Sequence, residues 1–358
     1  MKKNLRIVLM LTLGLATTVS AQDWSVDSRT RVNSTEDATS TDQRVRTAVD
    51  FGGDAVSAHV ELNSAATLGS IADQDFSLSV REAYATTDVM GFASLTAGRM
   101  ALNFGSGRIL GDNDWVQGNG NTWDGFLVGI NNDFADVHVG YAATDLTSMD
   151  TLRFDGTTMY ANIGKEMGAM AFNFLYVNTQ NEGAFTARPD VYEERTSMGL
   201  DASYTMDNGI SLSLGYYTSE TDDVEMDLTA LGAKYAVSDD LTVHAGYDMY
   251  GENGFYLESG SFGDMYGSGM NYSNFNATRG ECSDMSIGGS YSMGDLMIGA
   301  TYHSITPETD GAFEDITVMD LSVGYTLTDN SSISLNYAST DESGDDDTRT
   351  WISLHIGF

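Results

Sequence analysis

The sequence predicts an all-β fold: a transmembrane antiparallel β-barrel of about eighteen strands, with both termini on the periplasmic side. Three observations predict it. The last eight residues alternate strictly, with Ile352, Leu354, Ile356 and Phe358 on one face and Trp351, Ser353, His355 and Gly357 on the other. Similar period-two segments recur along the chain, separated alternately by tight and by long connections. Tyrosines fall at opposite strand ends according to strand parity. Strand side chains alternate faces, and in a bilayer each backbone polar group needs a partner within the protein. Strands therefore span it only as a closed barrel.

The amino terminus reads as a leader. Lys2, Lys3 and Arg6 precede an apolar run from Ile7 to Ala16, and Val19-Ser20-Ala21 leads into Gln22. A basic region, a short apolar core and a small-residue site make a secretory signal peptide over residues 1–21, cleaved after Ala21. Residues 22–358 are then one barrel domain. Gln at position 22, where a lipoprotein would carry Cys, excludes lipid anchoring.

Composition narrows the class. Beyond the leader no stretch approaches the roughly 18 apolar residues of a spanning helix. Only Pro189 and Pro307 interrupt the chain, and proline removes a ladder hydrogen bond, so its scarcity suits a chain that is mostly strand. The single cysteine, Cys282, excludes an internal disulfide framework. The formal charge of -35 becomes -38 when the three leader cations are removed, which argues against nucleic acid as a partner. It is compatible with a membrane if the acids occupy loops and lumen.

Alternation bounded by Gly, Asn and Asp turns places the strands in order. The first five lie near 24–34, 43–52, 55–65, 76–87 and 92–104. The next four lie near 122–131, 134–144, 152–164 and 167–179. Then come 194–206, 209–219, 225–237, 240–251 and 283–293, and finally 295–304, 314–327, 331–340 and 348–358. Every second connection is tight, as at Gly53-Asp54, Asn132-Asp133, Asp207-Asn208, Ser238-Asp239, Gly294 and Asp329-Asn330. The others are longer, notably 105–121, 180–193 and 252–282. Short periplasmic turns alternating with long external loops are the expected asymmetry of an outer-membrane barrel.

Tyr204, Tyr235, Tyr291 and Tyr325 precede tight turns, whereas Tyr216, Tyr247, Tyr302 and Tyr337 lie near the outer ends of the following strands. Two girdles result, as amphipathic rings prefer the two interfaces. Faces follow from the alternation. Val45, Thr47, Val49 and Phe51 face lipid, with Arg44, Arg46 and Asp50 inward. Val56, Ala58, Val60 and Leu62 face out, with His59, Glu61 and Asn63 inward. Leu241, Val243, Ala245, Tyr247 and Met249 face out, with His244 and Asp248 inward. A polar interior in a barrel of this size implies an aqueous channel.

Basic residues are lopsided. Arg29, Arg31, Arg44, Arg46, Arg81, Arg99 and Arg108 fall in the first five strands and the loop after them; the remaining 250 positions hold seven more Lys and Arg. A basic stripe down one lumen wall would guide anions. The same arginines could instead pair with Asp50 and Glu61, or contact lipopolysaccharide phosphates at the rim. Arg81 breaks the alternation, because adjacent Glu82 would share the face of Leu78 and Val80; a bulge or a rim position is expected.

Segment 81–125 is the most distinctive. It reads Arg81-Glu82-Ala83-Tyr84, Gly98-Arg99, Phe104-Gly105, Arg108-Ile109-Leu110-Gly111, Asp114-Trp115 and Trp123-Asp124-Gly125. This order resembles the alginate-export family of outer-membrane porins. The resemblance implies an 18-stranded barrel passing anionic polysaccharides or small anions through a constriction lined by Arg81, Arg99 and Arg108.

Loop 105–121 is the third external connection, rich in Gly, with Arg108, Asp112 and Asp114 in one segment. Ile109, Leu110, Trp115 and Val116 would be poor residues to leave in water. The loop is therefore expected to fold inward as a constriction of both charge signs, and Asp112, Asp114 and Trp115 join the expected pore-lining set. Acidic clusters (Asp341-Glu342 with Asp345-Asp346-Asp347; Glu220 with Asp222-Asp223) fall in external loops. There they could bridge divalent cations to lipopolysaccharide or simply be solvated.

Catalysis finds little support. His303-Ser304 sits at a strand end without a convergent third group, and no metal-ligand spacing appears among Cys and His. His59, His138, His244 and His355 are inward polar residues on separate strands. Loop 252–282, with Tyr256, Phe262, Tyr266 and Tyr272, keeps a surface-binding or adhesive barrel as the alternative, ahead of an outer-membrane hydrolase. The reading reached is an outer-membrane porin, without cofactor, for passive diffusion of small solutes. Its expected bias is toward anionic or saccharide permeants such as uronate oligosaccharides. Its partners are outer-membrane lipid, lipopolysaccharide and, through the C-terminal strand, the barrel-assembly machinery.

Overall fold

Apolar–polar alternation leaves each segment one face for lipid and one for water, and the chain satisfies both by rolling its ladder shut. The computed structural model describes residues 22–36, 38–53, 55–69, 77–111, 122–130, 134–145, 155–182, 194–221, 224–255, 280–309, 314–342 and 345–358. Eighteen strands run through them: β1 (Gln22–Thr35), β2 (Thr39–Gly52), β3 (Val56–Leu68), β4 (Ser77–Val89), β5 (Ala93–Ala101) and β6 (Thr122–Ile130). They continue as β7 (Asp136–Asp145), β8 (Asp155–Met167), β9 (Met170–Glu182), β10 (Glu194–Thr205), β11 (Ile210–Thr221) and β12 (Glu225–Ala236). The last six are β13 (Leu241–Tyr250), β14 (Cys282–Met293), β15 (Leu296–Pro307), β16 (Ile316–Thr328), β17 (Ser331–Glu342) and β18 (Asp345–Gly357).

Each strand pairs antiparallel with the next in sequence, and β18 closes on β1 in the register Asp27↔Gly357 to Thr35↔Arg349. No sheet edge is left to pair with another chain. Among the described residues no helix is long and apolar enough to cross a membrane.

Two boundaries differ from the sequence reading for a physical reason. β5 stops at Ala101 instead of 104, because the chain leaves the wall there and turns into the lumen. The β8–β9 turn falls at Gly168-Ala169, where Gly168 supplies a φ of +61°, rather than at 165–166. That placement keeps Met167 and Met170 paired and exposed at the rim.

The outer surface is apolar. Ile287 (62% exposed), Leu214, Leu231, Leu321, Val323 and Leu335 cover a continuous band that no water-soluble surface would tolerate. Both girdles form. Near the end where the termini lie, Tyr204, Tyr235, Tyr291 and Tyr325 point outward beside Leu212, Val243, Ile298 and Ile333. Tyr216, Tyr247 and Tyr302 are exposed toward the opposite rim, and Tyr337 is half-buried at the same level.

Arg81 occupies a bulge. Glu61 pairs with Glu82 and Leu62 with Val80, so the β3–β4 register skips Arg81, which turns inward beside Glu82. The irregularity that the sequence required lies within the strand, away from the rim.

The lumen is only partly a water space. Tyr160, Leu175, Val177, Tyr217, Leu228, Ile305, Ile316 and Val318 form a buried apolar cluster on the inner face of β8–β16, against which Leu102, Ile109 and Leu110 pack.

The two faces respond differently to one charge. Ile287→Arg, outward at mid-strand, is expected to lower stability in lipid vesicles by about 2–4 kcal/mol. Ser290→Arg, inward on the same strand, should stay within about 1 kcal/mol of wild type. Urea-driven unfolding in vesicles measures both.

Candidate functional site

The chain leaves the wall after β5 because its next residues prefer apolar contact to water. Leu102 is 2% exposed, Ile109 3% and Leu110 fully buried. Phe104 lies against Tyr160 (ring centroids 5.8 Å) and His138 (5.7 Å). Ile109 fits over Gly199, where a Cβ would come within 2.9 Å of its Cδ1. Gly105 turns the loop at φ +59°, with Asp201 and Asn173 standing where a side chain would go, so a larger residue is excluded twice.

Polar contacts then fix the loop's tip. The Ser106 amide donates to Asp201 Oδ2 at 3.2 Å, and its hydroxyl bonds the Tyr217 hydroxyl at 2.8 Å. Tyr217 donates in turn to Asp201. Arg108 Nη2 donates to Asp248 Oδ2 at 2.8 Å, its guanidinium lying over the Tyr217 ring at 5.6 Å. A charge-assisted bond in a partly dry setting is a strong tether. The described part of the loop, residues 102–111, thus reaches from β5 to β13, eight strands round the wall.

The receiving wall is acidic. Asp248 faces Asp284 in register across β13–β14, and Asp284 bonds His303 Nδ1 at 3.1 Å. Asp320 lies on the inner face of β16. Phe255, in the connection after β13, covers Tyr217 at 5.9 Å. A cavity of about 810 Å³ remains beside the loop, lined among others by Arg108, Lys165, Asp201, Ser213 and His303.

The other wall bears arginines interleaved with acids. Arg29 and Arg44 stand opposite each other on β1 and β2. Asp27 accepts from Arg44 at 2.8 Å and lies 3.4 Å from Arg29, while His355 bonds its other oxygen. Glu61 takes Arg46 at 3.5 Å and Arg81 at 3.1 Å, and Arg81 also reaches Glu82. Arg31 bonds Ser353 at 3.2 Å and lies over Trp351 at 5.4 Å. His59 is held by Asp50 at 2.7 Å and stacks on Tyr84. The ligand atoms of His59, Glu61 and Glu82 lie within 4.8 Å of one another, a spacing open to a metal ion. Arg81 already supplies the positive charge there.

Arg44, Arg46, Arg81 and Arg108 face inward. Arg99 does not, which corrects the sequence expectation. On β5 the inward set is Thr96, Gly98 and Met100, whereas Arg99 stands between outward Ala83 and Asp124 and binds Asp124 twice, at 2.8 and 2.7 Å. Asp112, Asp114 and Trp115 lie outside the described residues, as do Asp222, Asp223, Tyr256, Phe262, Tyr266 and Tyr272. Asp201 and Tyr217 were not anticipated as anchors. Each is a large polar residue on an inner face otherwise built of Gly and Ser (Gly199, Ser203; Ser213, Gly215), and that contrast was available as a signal.

Removing the tether should loosen the loop. Arg108→Ala and Asp248→Asn are each expected to raise single-channel conductance, and the double variant should resemble either single one. A stability double-mutant cycle should give a coupling of about 0.5–3 kcal/mol.

Comparison with known proteins agrees with this architecture. Among solved structures, OpdK of Pseudomonas aeruginosa crystallised with vanillate matches at TM-score 0.74 and 15% identity, covering 95% of this chain and 99% of that one. OccK3 (OpdO) of the same organism matches at 0.72 and 15%, covering 98% and 99%. OccAB4 of Acinetobacter baumannii matches at 0.72 and 10%, covering 95% and 99%. No curated protein sequence matches. The family that matches is described as Gram-negative porin, over residues 104–255 and 250–357. The alginate-export family suggested by segment 81–125 finds no support. The chain belongs to the Gram-negative porin family, and is an outer-membrane channel rather than an enzyme.

Proposed function

We propose that this porin passes small anionic or saccharide solutes, with uronate oligosaccharides as the type, along the arginine-bearing wall of β1–β4. One observation carries the reading. Residues 102–111 of the inward loop are tied at Asp201 and Asp248, across the lumen from the half-buried Arg29 and Arg31. Fixed guanidinium groups in a narrow aqueous path attract anions and offer sugar hydroxyls and carboxylates directional donors. OpdK, which shares the fold, was crystallised with vanillate, a small aromatic carboxylate. Export by a leader cleaved after Ala21, and membrane assembly through β18, belong to the same reading.

Reversal potential under a salt gradient tests it. Wild type is expected to prefer anions, and uronate oligomers to block its openings. Arg29→Gln/Arg31→Gln should move the reversal potential toward cation preference. A cation-preferring channel indifferent to these substitutions would overturn the anionic bias, and absence of conductance would overturn the diffusion reading altogether.

A further inference from the structure

Sulfur recurs in the outer girdle beside its aromatic rings. On four external hairpins an outward tyrosine of the rising strand stands in register with a methionine of the falling one: Tyr141↔Met159, Tyr176↔Met198, Tyr247↔Met285 and Tyr302↔Met319. All eight side chains are exposed on the outer surface. Directly opposite residues hold their Cβ atoms about 4.5–5.5 Å apart, within reach of the ring contact that thioethers favour. Across the tight-turn side the pattern changes: Tyr216, Tyr247, Tyr302 and Tyr337 face Leu200, Leu231, Ile287 and Leu321.

Hydrophobicity alone does not select methionine at these positions. Aliphatic side chains cover a lipid-facing wall as well, and Leu200, Ile287 and Leu321 stand one outward step deeper on β10, β14 and β16. Among the described residues the exposed methionines gather toward the two rims, with Met167, Met170, Met293 and Met297 at the turn end. What a thioether adds to such a surface is an oxidisable sulfur. Sulfoxide formation turns the side chain polar, which a packed interior tolerates badly. At the girdle the new oxygen stands at headgroup depth, and the paired phenol is an O–H donor for it. Met100 has no such outlet. It is buried with Leu102, Ile109 and Leu110, so an oxygen there would lie under the inward loop.

We infer that Met159, Met198, Met285 and Met319 form an oxidant-accepting belt, a modification site for hydroperoxides and hypohalous acids that reach the cell surface. The sulfur lone pair attacks the electrophilic oxygen of a hydroperoxide. An S–O bond forms, the O–O bond breaks, and water or an alcohol leaves with the proton. The thioether is oxidised by two electrons and the peroxide reduced by two. With hypochlorous acid the net transfer of one oxygen is the same, and chloride and a proton leave. The facing tyrosine then donates to the sulfoxide oxygen and holds the strand pair in place.

Graded hypochlorite treatment of the folded barrel, in vesicles of lipopolysaccharide and phospholipid, tests the belt by peptide mass mapping. Sulfoxide is expected at the four girdle positions before it appears at Met100. Single-channel conductance should stay unchanged, as should the temperature at which the folded, fast-migrating gel band is lost. Met285→Leu/Ile287→Met moves one sulfur two residues deeper while leaving the unoxidised barrel intact. Its displaced sulfur should oxidise more slowly, and the band should be lost at a lower temperature once it has. Tyr141→Phe/Tyr176→Phe/Tyr247→Phe/Tyr302→Phe should lower that temperature in the oxidised barrel and not in the unoxidised one. Oxidation of Met100 as fast as the girdle would overturn the inference. So would an oxidised wild type as destabilised as the barrel with the displaced sulfur, or a quadruple phenylalanine variant indifferent to oxidation.

Discussion

Everything in this molecule depends on the absence of water from the bilayer core. A backbone N–H or C=O left unpaired there has no solvent to bond, so the ladder must close, and it does so where β18 meets β1. Closure divides each strand into a lipid-facing and a lumen-facing side, and most of its apolar surface goes to the first. Large apolar side chains such as Ile287 and Leu321 are consequently the exposed ones, and charges such as Arg44, Arg81 and Asp284 the buried ones.

Once the wall is closed, the lumen has to be shaped by what enters it. The inward loop combines two adhesives that differ in character. Leu102, Ile109 and Leu110 supply non-directional burial on the inner face, while Ser106 and Arg108 supply directional bonds to Asp201 and Asp248. Burial draws the loop inward; the polar contacts set where it stops. The arginine-bearing wall is organised differently, as arginines of β1, β2 and β4 share Asp27, Glu61 and Glu82. Sharing acids between neighbouring cations holds the guanidinium groups in place.

The barrel was legible because alternation is a local signal repeated in every strand, and turns and tyrosines repeat it independently. Even the irregularity at Arg81 was visible as two consecutive charged residues in an alternating strand. Arg99 was misassigned for the opposite reason. Its strand alternates as Leu95, Ala97, Arg99 against Ser94, Thr96, Gly98, a parity that sends Arg99 outward with Leu95. A motif resemblance outweighed that parity. The anchors of the loop escaped because they are non-local: Ser106 and Arg108 find partners 95 and 140 residues away. Nothing near either residue encodes that meeting, since it arises only after the wall has curved round.

The bulge in β4 has a consequence for how such a pore can change over time. Strand number fixes the circumference, and alternation fixes how many side chains each strand can offer to the water. An extra residue in a regular strand would send every later side chain to the wrong solvent. Absorbed as a bulge, it leaves the rest of the strand in phase and adds one side chain to the interior. Arg81 sits beside Glu82 on those terms. Wall diameter and wall charge are thereby separable properties, and the second can drift by single insertions while the first stays constant.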